Sequence, residues 1–541
     1  MTERTYDYII IGAGSAGCAL ANRLSAQNRF RVLLLEAGGS DRRLWIQIPL
    51  GYGKTFYDPS VNWMYWAEPD DALAGQRDYW PRGKVLGGSS SINALVYVRG
   101  DPADYEGWRS AGNPGWGWSD VLSAYRGMEG LVDGADGDRG AGGLLQLRNI
   151  RDEVHPLCHA FVDSARALGL PFNPDFNGPS IEGVGYYHLT VKNGRRLSAA
   201  RAFLHPAKNR SNLQIVTGAH ATRLIFDGMR ATGVDYVRGG RPTTAFAARE
   251  VILSAGAVNS VQILQLSGLG PPRLLQEAGI AVRYPNPNIG AHLKDHFGTN
   301  YIWRSRVPTL NDELRPWLGK LRVGLRYLAT GRGPLSLSVN QGGGFFRTGP
   351  DHTRPNMQLY MQAFSTLIPK QGERPLLTPD PFSGLSLGLS NCRPTSEGEI
   401  GVKSADPFEP PRIVARALST EHDRTEMLEG LKFLRRIAAA PPLAHHLAEE
   451  LRPGPACVGD DELLADFSRR AGTVYHPCCT CRMGPDPATS VVDPRLRVHG
   501  VEGLRVCDAS IFPEIVTGNI NAPSMMVGWR GADLILADAG R

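Results

Sequence analysis

The chain begins with a strand–turn–helix–strand unit that leaves few folds open to it. Tyr8, Ile9, Ile10 and Ile11 read as a short buried strand, and Gly12-Ala13-Gly14-Ser15-Ala16-Gly17 as a tight turn. Cys18 to Leu24 has helical apolar spacing, and Val32 to Leu35 is a second buried strand ending at Glu36. Such a βαβ unit needs missing side chains in three places: the turn, the approach of a pyrophosphate, and the packing of helix on strand. Gly12, Gly14 and Gly17 supply them. The helix start offers N–H groups and a positive dipole end to phosphate. A carboxylate at Glu36 accepts hydrogen bonds from a ribose 2′-hydroxyl and repels a 2′-phosphate, which disfavours an NADP-type ligand. The unit predicts a dinucleotide held at Gly12, Gly14, Ser15, Ala16, Glu36 and Ala37, and leaves FAD and NAD both open.

A second glycine–serine loop, Gly83 to Asn93, is bracketed by Val85, Leu86, Ile92, Leu95 and Val96. Small residues let backbone amides lie against a flat or anionic ligand, and the apolar flanks argue for burial. The loop is expected to wall the cofactor site through Leu86, Gly87, Ser90, Asn93, Ala94 and Val96. Val216, in the strand Leu213–Val216, is expected along the far end of the ligand. Near the C-terminus, Asp508-Ala509-Ser510 follows a strand at Leu504–Cys507, which suits contacts to phosphate or to a polyol chain. His476-Pro477-Cys478-Cys479-Thr480-Cys481 supplies an imidazole able to exchange protons near neutral pH. Asn519, Asn521 and Ala522 introduce an apolar-periodic helix, where an asparagine before Ala522-Pro523 is a good N-cap.

These motifs, together with Gly256–Gly270 and Ile289–His296, resemble the GMC (glucose–methanol–choline) oxidoreductases nearly end to end, in their alcohol dehydrogenase and choline dehydrogenase-like branch. The resemblance implies FAD rather than NAD. It also implies an α/β, Rossmann-like FAD domain interleaved with an α+β substrate domain built on an antiparallel sheet. The FAD domain is expected at 1–155, 200–300 and 465–541, and the substrate domain at 156–199 and 301–464. By the same resemblance His476 is the catalytic base and Asn521 the second catalytic residue. Asp508, Ala509, Asn519, Asn521 and Ala522 are expected to join the FAD contacts, with Asp295-His296 as weaker ones. The reaction implied is oxidation of a primary alcohol to the aldehyde, with the proton passing to His476, the hydride to flavin N5, and the electrons on to oxygen or a quinone.

Three positions depart from the family pattern. Val261 replaces a usual proline. Cys479 replaces a usual glycine, so the backbone there must avoid glycine-only angles or accept strain. Ile92 stands where some members attach FAD through a histidine, which predicts non-covalent FAD. Trp63, Trp66, Tyr97 and Trp303 favour an apolar or aromatic alcohol over a sugar. Two rival readings belong to the same family: a non-redox FAD lyase of the hydroxynitrile lyase kind, and a fatty acid photodecarboxylase. The second rests on Cys392 but lacks the arginine expected further on, where the chain reads Glu409-Pro410-Pro411.

The Cys478/Cys479/Cys481 spacing does not match paired zinc ligands, so no metal is expected and these cysteines read as lining of the active site. A net charge of +6 over 541 residues gives no nucleic-acid footprint. The absence of a signal peptide or a spanning apolar run points to the cytoplasm, with at most peripheral contact with the inner membrane. That contact would come from Leu314, Trp317, Leu318, Leu321, Leu325 and Leu328, a helical stripe opposite Arg315, Lys320, Arg322 and Arg326. Packing of the stripe on its own domain is the expected use. Pro369–Pro381 reads as a lid near the site entrance.

Overall fold

The computed structural model describes residues 5–131, 134, 137–367 and 378–540. Most of the expected lid at Pro369–Pro381 lies outside them. Strand β1 (Thr5–Ile11), helix α1 (Ser15–Leu24) and strand β2 (Val32–Glu36) form the anticipated βαβ unit, with the two strands paired in parallel. The sheet grows outward on both sides. Leu213–Thr217 pairs in parallel with β2, and Arg241–Leu253 in parallel with β1. An antiparallel meander, Ala219–Asp227 and Arg230–Arg238, adds the other edge, while Leu504–Val506 lies alongside Arg241–Leu253. Every residue of β2 is buried, as expected of a strand covered on both faces.

The second sheet is antiparallel throughout. Its main path runs Leu447–Arg452, Phe297–Ser305, Gly384–Asn391, Met357–Gln362, Gly342–Phe346, Gly183–Tyr186. Phe297–Ser305 crosses the boundary expected at residue 300, and Gly472–Thr473 pairs with its first residues. Two large apolar cores result, one around each sheet.

Between them lies a buried ionic knot. Arg99 grips both oxygens of Glu129 (2.6 and 2.5 Å), Arg139 adds a contact at 2.9 Å, and the Tyr97 hydroxyl donates to the same carboxylate at 2.6 Å. Tyr97 is thus a structural residue with no face on the cleft. Trp303 is likewise packed into the second core and contributes nothing to the substrate wall.

Candidate active site

A cleft of about 1740 Å³ runs between the two sheets, larger than most small-molecule sites and roomy enough for a dinucleotide plus a substrate. Three helix N-termini reach it: α1 through Ser15 and Ala16, Gly256–Leu266 through Ala255–Ala257, and Asn521–Ala539 through Asn521. None of the three is capped by the side chain of its own N-cap residue, although Asp508 accepts the Gly256 N–H of the second. Uncapped ends inside a protein leave N–H groups in need of acceptors, which is what phosphate and other anionic oxygens provide. Gly14 and Gly88 face one another so closely that a Cβ on Gly88 would lie 2.7 Å from the Gly14 Cα. Side chains are excluded there, and the backbones can approach a ligand. The residues present therefore fit a bound dinucleotide such as FAD.

Of the expected contacts, Gly12, Gly14, Ser15, Ala16, Glu36, Ala37, Asn93, Ala94, Val96, Asp508, Ala509, Asn519 and Asn521 all line the cleft. Leu86, Gly87, Ser90, Val216 and Ala522 do not. Leu86 packs against the first core. Gly87 donates its N–H to the Ala13 carbonyl at 2.7 Å, and the Ser90 hydroxyl donates to the Gly87 carbonyl while accepting from the Ala199 N–H. Val216 and Ala522 are buried in that core. These five hold the cradle in shape from behind.

Glu36 accepts N–H groups from Ala13 (3.0 Å) and Gly38 (2.8 Å), and burial pushes its carboxyl up to about 7. A carboxylate has about four acceptor sites, so two such bonds leave room for a ribose hydroxyl. Asp508 is spent differently: it accepts from the Gly256 N–H, the Ser260 hydroxyl and the Ser510 N–H, pinning one helix start to the cleft.

His476 sits at the junction of the two sheets, and its neighbours fix its proton. The His296 Nε2 lies 2.9 Å from the Cys392 carbonyl, which can only accept, so His296 carries its hydrogen there. Burial lowers His296 to about 4, leaving the ring neutral and its Nδ1 a bare acceptor. His476 Nδ1, 3.0 Å from that atom, must therefore be the donor, and the ring's lone pair is on His476 Nε2. The Asn519 amide nitrogen approaches that lone pair at 3.1 Å. Its orientation is set in turn, because the Gln358 amide donates to Asn519 Oδ1 at 3.1 Å and the Tyr360 hydroxyl donates to Gln358 at 2.8 Å. Burial first, and then the nearby Arg82, hold the His476 imidazole well below its usual 6.5. The backbone is strapped as well: Asp295 accepts the His476 N–H at 2.8 Å and the Thr473 hydroxyl.

Several expectations change here. Among the described residues, Asn521 makes no hydrogen bond to His476. It is the first residue of its helix, with Ile520 at the cap position, and its side chain accepts from the Ser15 hydroxyl at 2.7 Å. The place beside the imidazole belongs to Asn519, and the capping role expected of Asn521 is absent. Asp295 and His296 face His476 and do not line the cleft. Cys478, Cys479 and Cys481 do not line it either. They point into the first core, fully buried, with the Cys478 and Cys479 sulfurs 3.4 Å apart. Cys479 does adopt the glycine-like angle, φ +70°. Cys392 is buried in the second core, away from the cleft. The sequence placed Asn519 among the FAD contacts but did not signal its position beside His476, and it did not signal Gln358, since both contacts depend on how the sheets meet.

An aromatic cluster of Phe56, Tyr57, Trp66, Tyr79 and Tyr475 walls part of the cleft. Their rings pack edge-on or tilted at centroid separations of 4.9–5.5 Å, with Tyr57 and Tyr79 stacked at 5.0 Å. Trp63, one of the aromatics expected from the sequence, lines the cleft as well.

Comparison with known proteins agrees with this arrangement. Models of the GMC oxidoreductase family match residues 6–298 and 394–528. The alcohol dehydrogenase [acceptor] of Pseudomonas putida is 42% identical over 535 residues, covering 98% of this chain and 96% of its own. The oxygen-dependent choline dehydrogenase of Vibrio vulnificus is 38% identical, covering 99% and 95%. Among solved structures, pyridoxine 4-oxidase from Mesorbium loti superposes with a TM-score of 0.89 at 30% identity, covering 98% of this chain and 99% of that one. A formate oxidase superposes with a TM-score of 0.91 at 26% identity, covering 100% of both.

Proposed function

The chain belongs to the GMC oxidoreductase family, as an FAD-dependent enzyme acting on CH–OH groups, and from that premise we propose that it oxidises primary alcohols with an apolar or aromatic body to aldehydes. The observation that carries this reading is the neutral His476, with its Nε2 lone pair directed at Asn519 in the cleft. Bound FAD would supply the acceptor for the hydride that leaves the carbinol carbon. Gly12, Gly14, Ser15 and Ala16 would hold its pyrophosphate at the start of α1, with Glu36 at a ribose. Ile92 has no group able to bond to the flavin, which supports non-covalent attachment.

The chain's own residues handle the proton. His476 Nε2 takes it from the substrate hydroxyl. The Asn519 amide, held by Gln358, keeps an N–H donor beside the same spot and orients the oxygen. The His296 ring accepts from His476 Nδ1 and so keeps the base in the tautomer whose lone pair faces substrate.

The wall chemistry supports an uncharged substrate. Arg77, Arg82, Arg452, Arg469 and Arg470 line the cleft against Glu36, Asp78, Asp466 and Asp508. The acids are already engaged: Asp466 with Arg470, Asp78 with the Thr473 N–H, Asp508 and Glu36 with backbone N–H groups. Five arginines against four acids leave the wall without an excess of negative charge to attract a cation, whereas an alkyl or aryl alcohol needs only the rings. The test is a panel of aliphatic, aryl and cationic alcohols. We expect kcat/KM for 1-hexanol or benzyl alcohol to exceed that for choline by at least about tenfold, and a preference for choline overturns the substrate assignment.

A further inference from the structure

The apolar stripe expected to pack inward is on the outside. Leu310–Leu314 forms a short helix, Pro316 breaks it, and Trp317–Thr330 continues as a 14-residue helix. Trp317 (70% exposed), Leu318 (61%), Leu321 (50%), Leu325 (58%) and Leu328 (81%) project to solvent, and Val323 is the helix's one buried residue. At about 100° per residue the five large side chains fall within an arc of roughly 100°. Lys320 flanks that arc on one side, and Arg322 and Arg326 on the other.

The charge of the segment has one sign. Arg315, Lys320, Arg322, Arg326 and Arg332 are all exposed, and no Asp or Glu occurs between Glu313 and Asp351. Among the described residues, none of these five forms an ion pair. A second exposed apolar pair, Leu44 (65%) and Trp45 (45%), follows Arg42 and Arg43. Both elements flank the same hairpin: Leu44–Gln47 touches Arg195–Arg196, and the Tyr327 hydroxyl donates to the Gly194 carbonyl at 3.0 Å.

We propose that this face docks on an anionic lipid surface, the Trp317–Thr330 helix lying in the plane of the interface with its leucines in the acyl boundary and its arginines and lysine on the headgroups. Exposed leucines flanked only by cations suit a surface that is apolar beneath and negative at its rim. A helix of this length, ~21 Å at 1.5 Å per residue, does not span a bilayer core of about 30 Å, and no helix among the described residues is long and apolar enough to cross a membrane. The docked face adjoins the cleft. Leu314 packs on the cluster of Tyr52, Val339 and Phe364, and these three line the cleft wall. The proposal does not depend on which alcohol is oxidised.

The test is flotation of the FAD-loaded, full-length protein with vesicles of phosphatidylcholine containing phosphatidylglycerol, and with vesicles of phosphatidylcholine alone. The expected result is co-flotation with the anionic vesicles only, weakened at least tenfold in Leu318→Glu/Leu325→Glu and in Arg322→Glu/Arg326→Glu, with flavin content and turnover of a water-soluble alcohol unchanged. Failure to float with anionic vesicles overturns the proposal, as does equal binding to both compositions. Sedimentation without lipid checks the other occupant: a dimer that Leu318→Glu/Leu325→Glu converts to monomer would assign the face to a second copy of the chain and overturn docking.

Discussion

His476 carries its hydrogen on Nδ1 because His296, bound to the Cys392 carbonyl and neutral, has only an acceptor to offer. His296 is therefore a positioning residue. Replacing it with Leu should lower kcat on the order of 10–100-fold with little change in KM, the scale seen when the hydrogen-bond partner that orients a functional histidine is removed. The pH profile separates this from simple damage. Burial, the largest cause, holds His476 below its usual 6.5, so the imidazole stays unprotonated as pH falls through that value. The acid limb of kcat/KM should lie below pH 6.5 in the native enzyme and move further down in His296→Leu, which keeps the burial and removes the neutral acceptor that favours the protonated ring. The two asparagines can be told apart in the same way. Asn519→Ala should slow flavin reduction, whereas Asn521→Ala, which loses the Ser15 contact, should chiefly weaken flavin retention. His476 was legible in the sequence as a candidate because its loop is a contiguous motif. Its partner was not, because Asn519 and Asn521 are two positions apart and the start of a helix decides which of them turns toward the imidazole.

At the scale of elements, the β1–α1–β2 unit could be read directly because strand, turn and helix are consecutive and every choice in it is local. The antiparallel sheet offered no such signal. Gly342–Phe346 is buried along its length and does not alternate in polarity, and although Gly384–Asn391 alternates leucine with glycine or serine, each strand has one partner far along the chain, at Gly183–Tyr186 and Phe297–Ser305. The glycine loops sit between these cases: Gly83–Asn93 was recognisable as a wall, but which of its residues face the cleft depended on backbone hydrogen bonds. Gly88→Ala tests the cradle. With φ +53° and a Cβ 2.7 Å from Gly14, the variant should fold yet lose bound flavin, seen as a lower ratio of flavin to protein absorbance. Ile92 gives a second expectation for the same element: acid precipitation should release all the flavin into the supernatant. The Arg99–Glu129–Arg139 knot makes a stability prediction. Glu129→Gln leaves two buried cations short of their counter-charge and should cost about 3–5 kcal/mol in chemical denaturation, the scale for breaking a buried ion pair.

For the whole molecule, the two sheets matter mainly for what meets at their seam. His476 follows Gly472–Thr473, which pairs with the antiparallel sheet, while the Gly12–Gly17 turn belongs to the parallel one. The His476–Asn519–Gln358 chain crosses between them, so the base is positioned by the packing of one sheet on the other and by no single segment. This is why the cysteines beside His476, prominent in sequence, turn out to be core, while the aromatic wall of Phe56, Tyr57, Tyr79 and Tyr475 drew little notice there. The same scale separates the exposed leucine face from the chemistry: its removal should alter where the enzyme sits and leave turnover intact. Proton removal from an alcohol by His476 in an FAD-loaded cleft is the step on which the proposed function rests. Anaerobic stopped-flow mixing with primary alcohols tests it most directly. The native enzyme should bleach its flavin with hexanol or benzyl alcohol, and His476→Ala should do so about 10²–10⁴-fold more slowly while retaining flavin. Absence of bleaching with every alcohol, or equal rates in the two proteins, would contradict it.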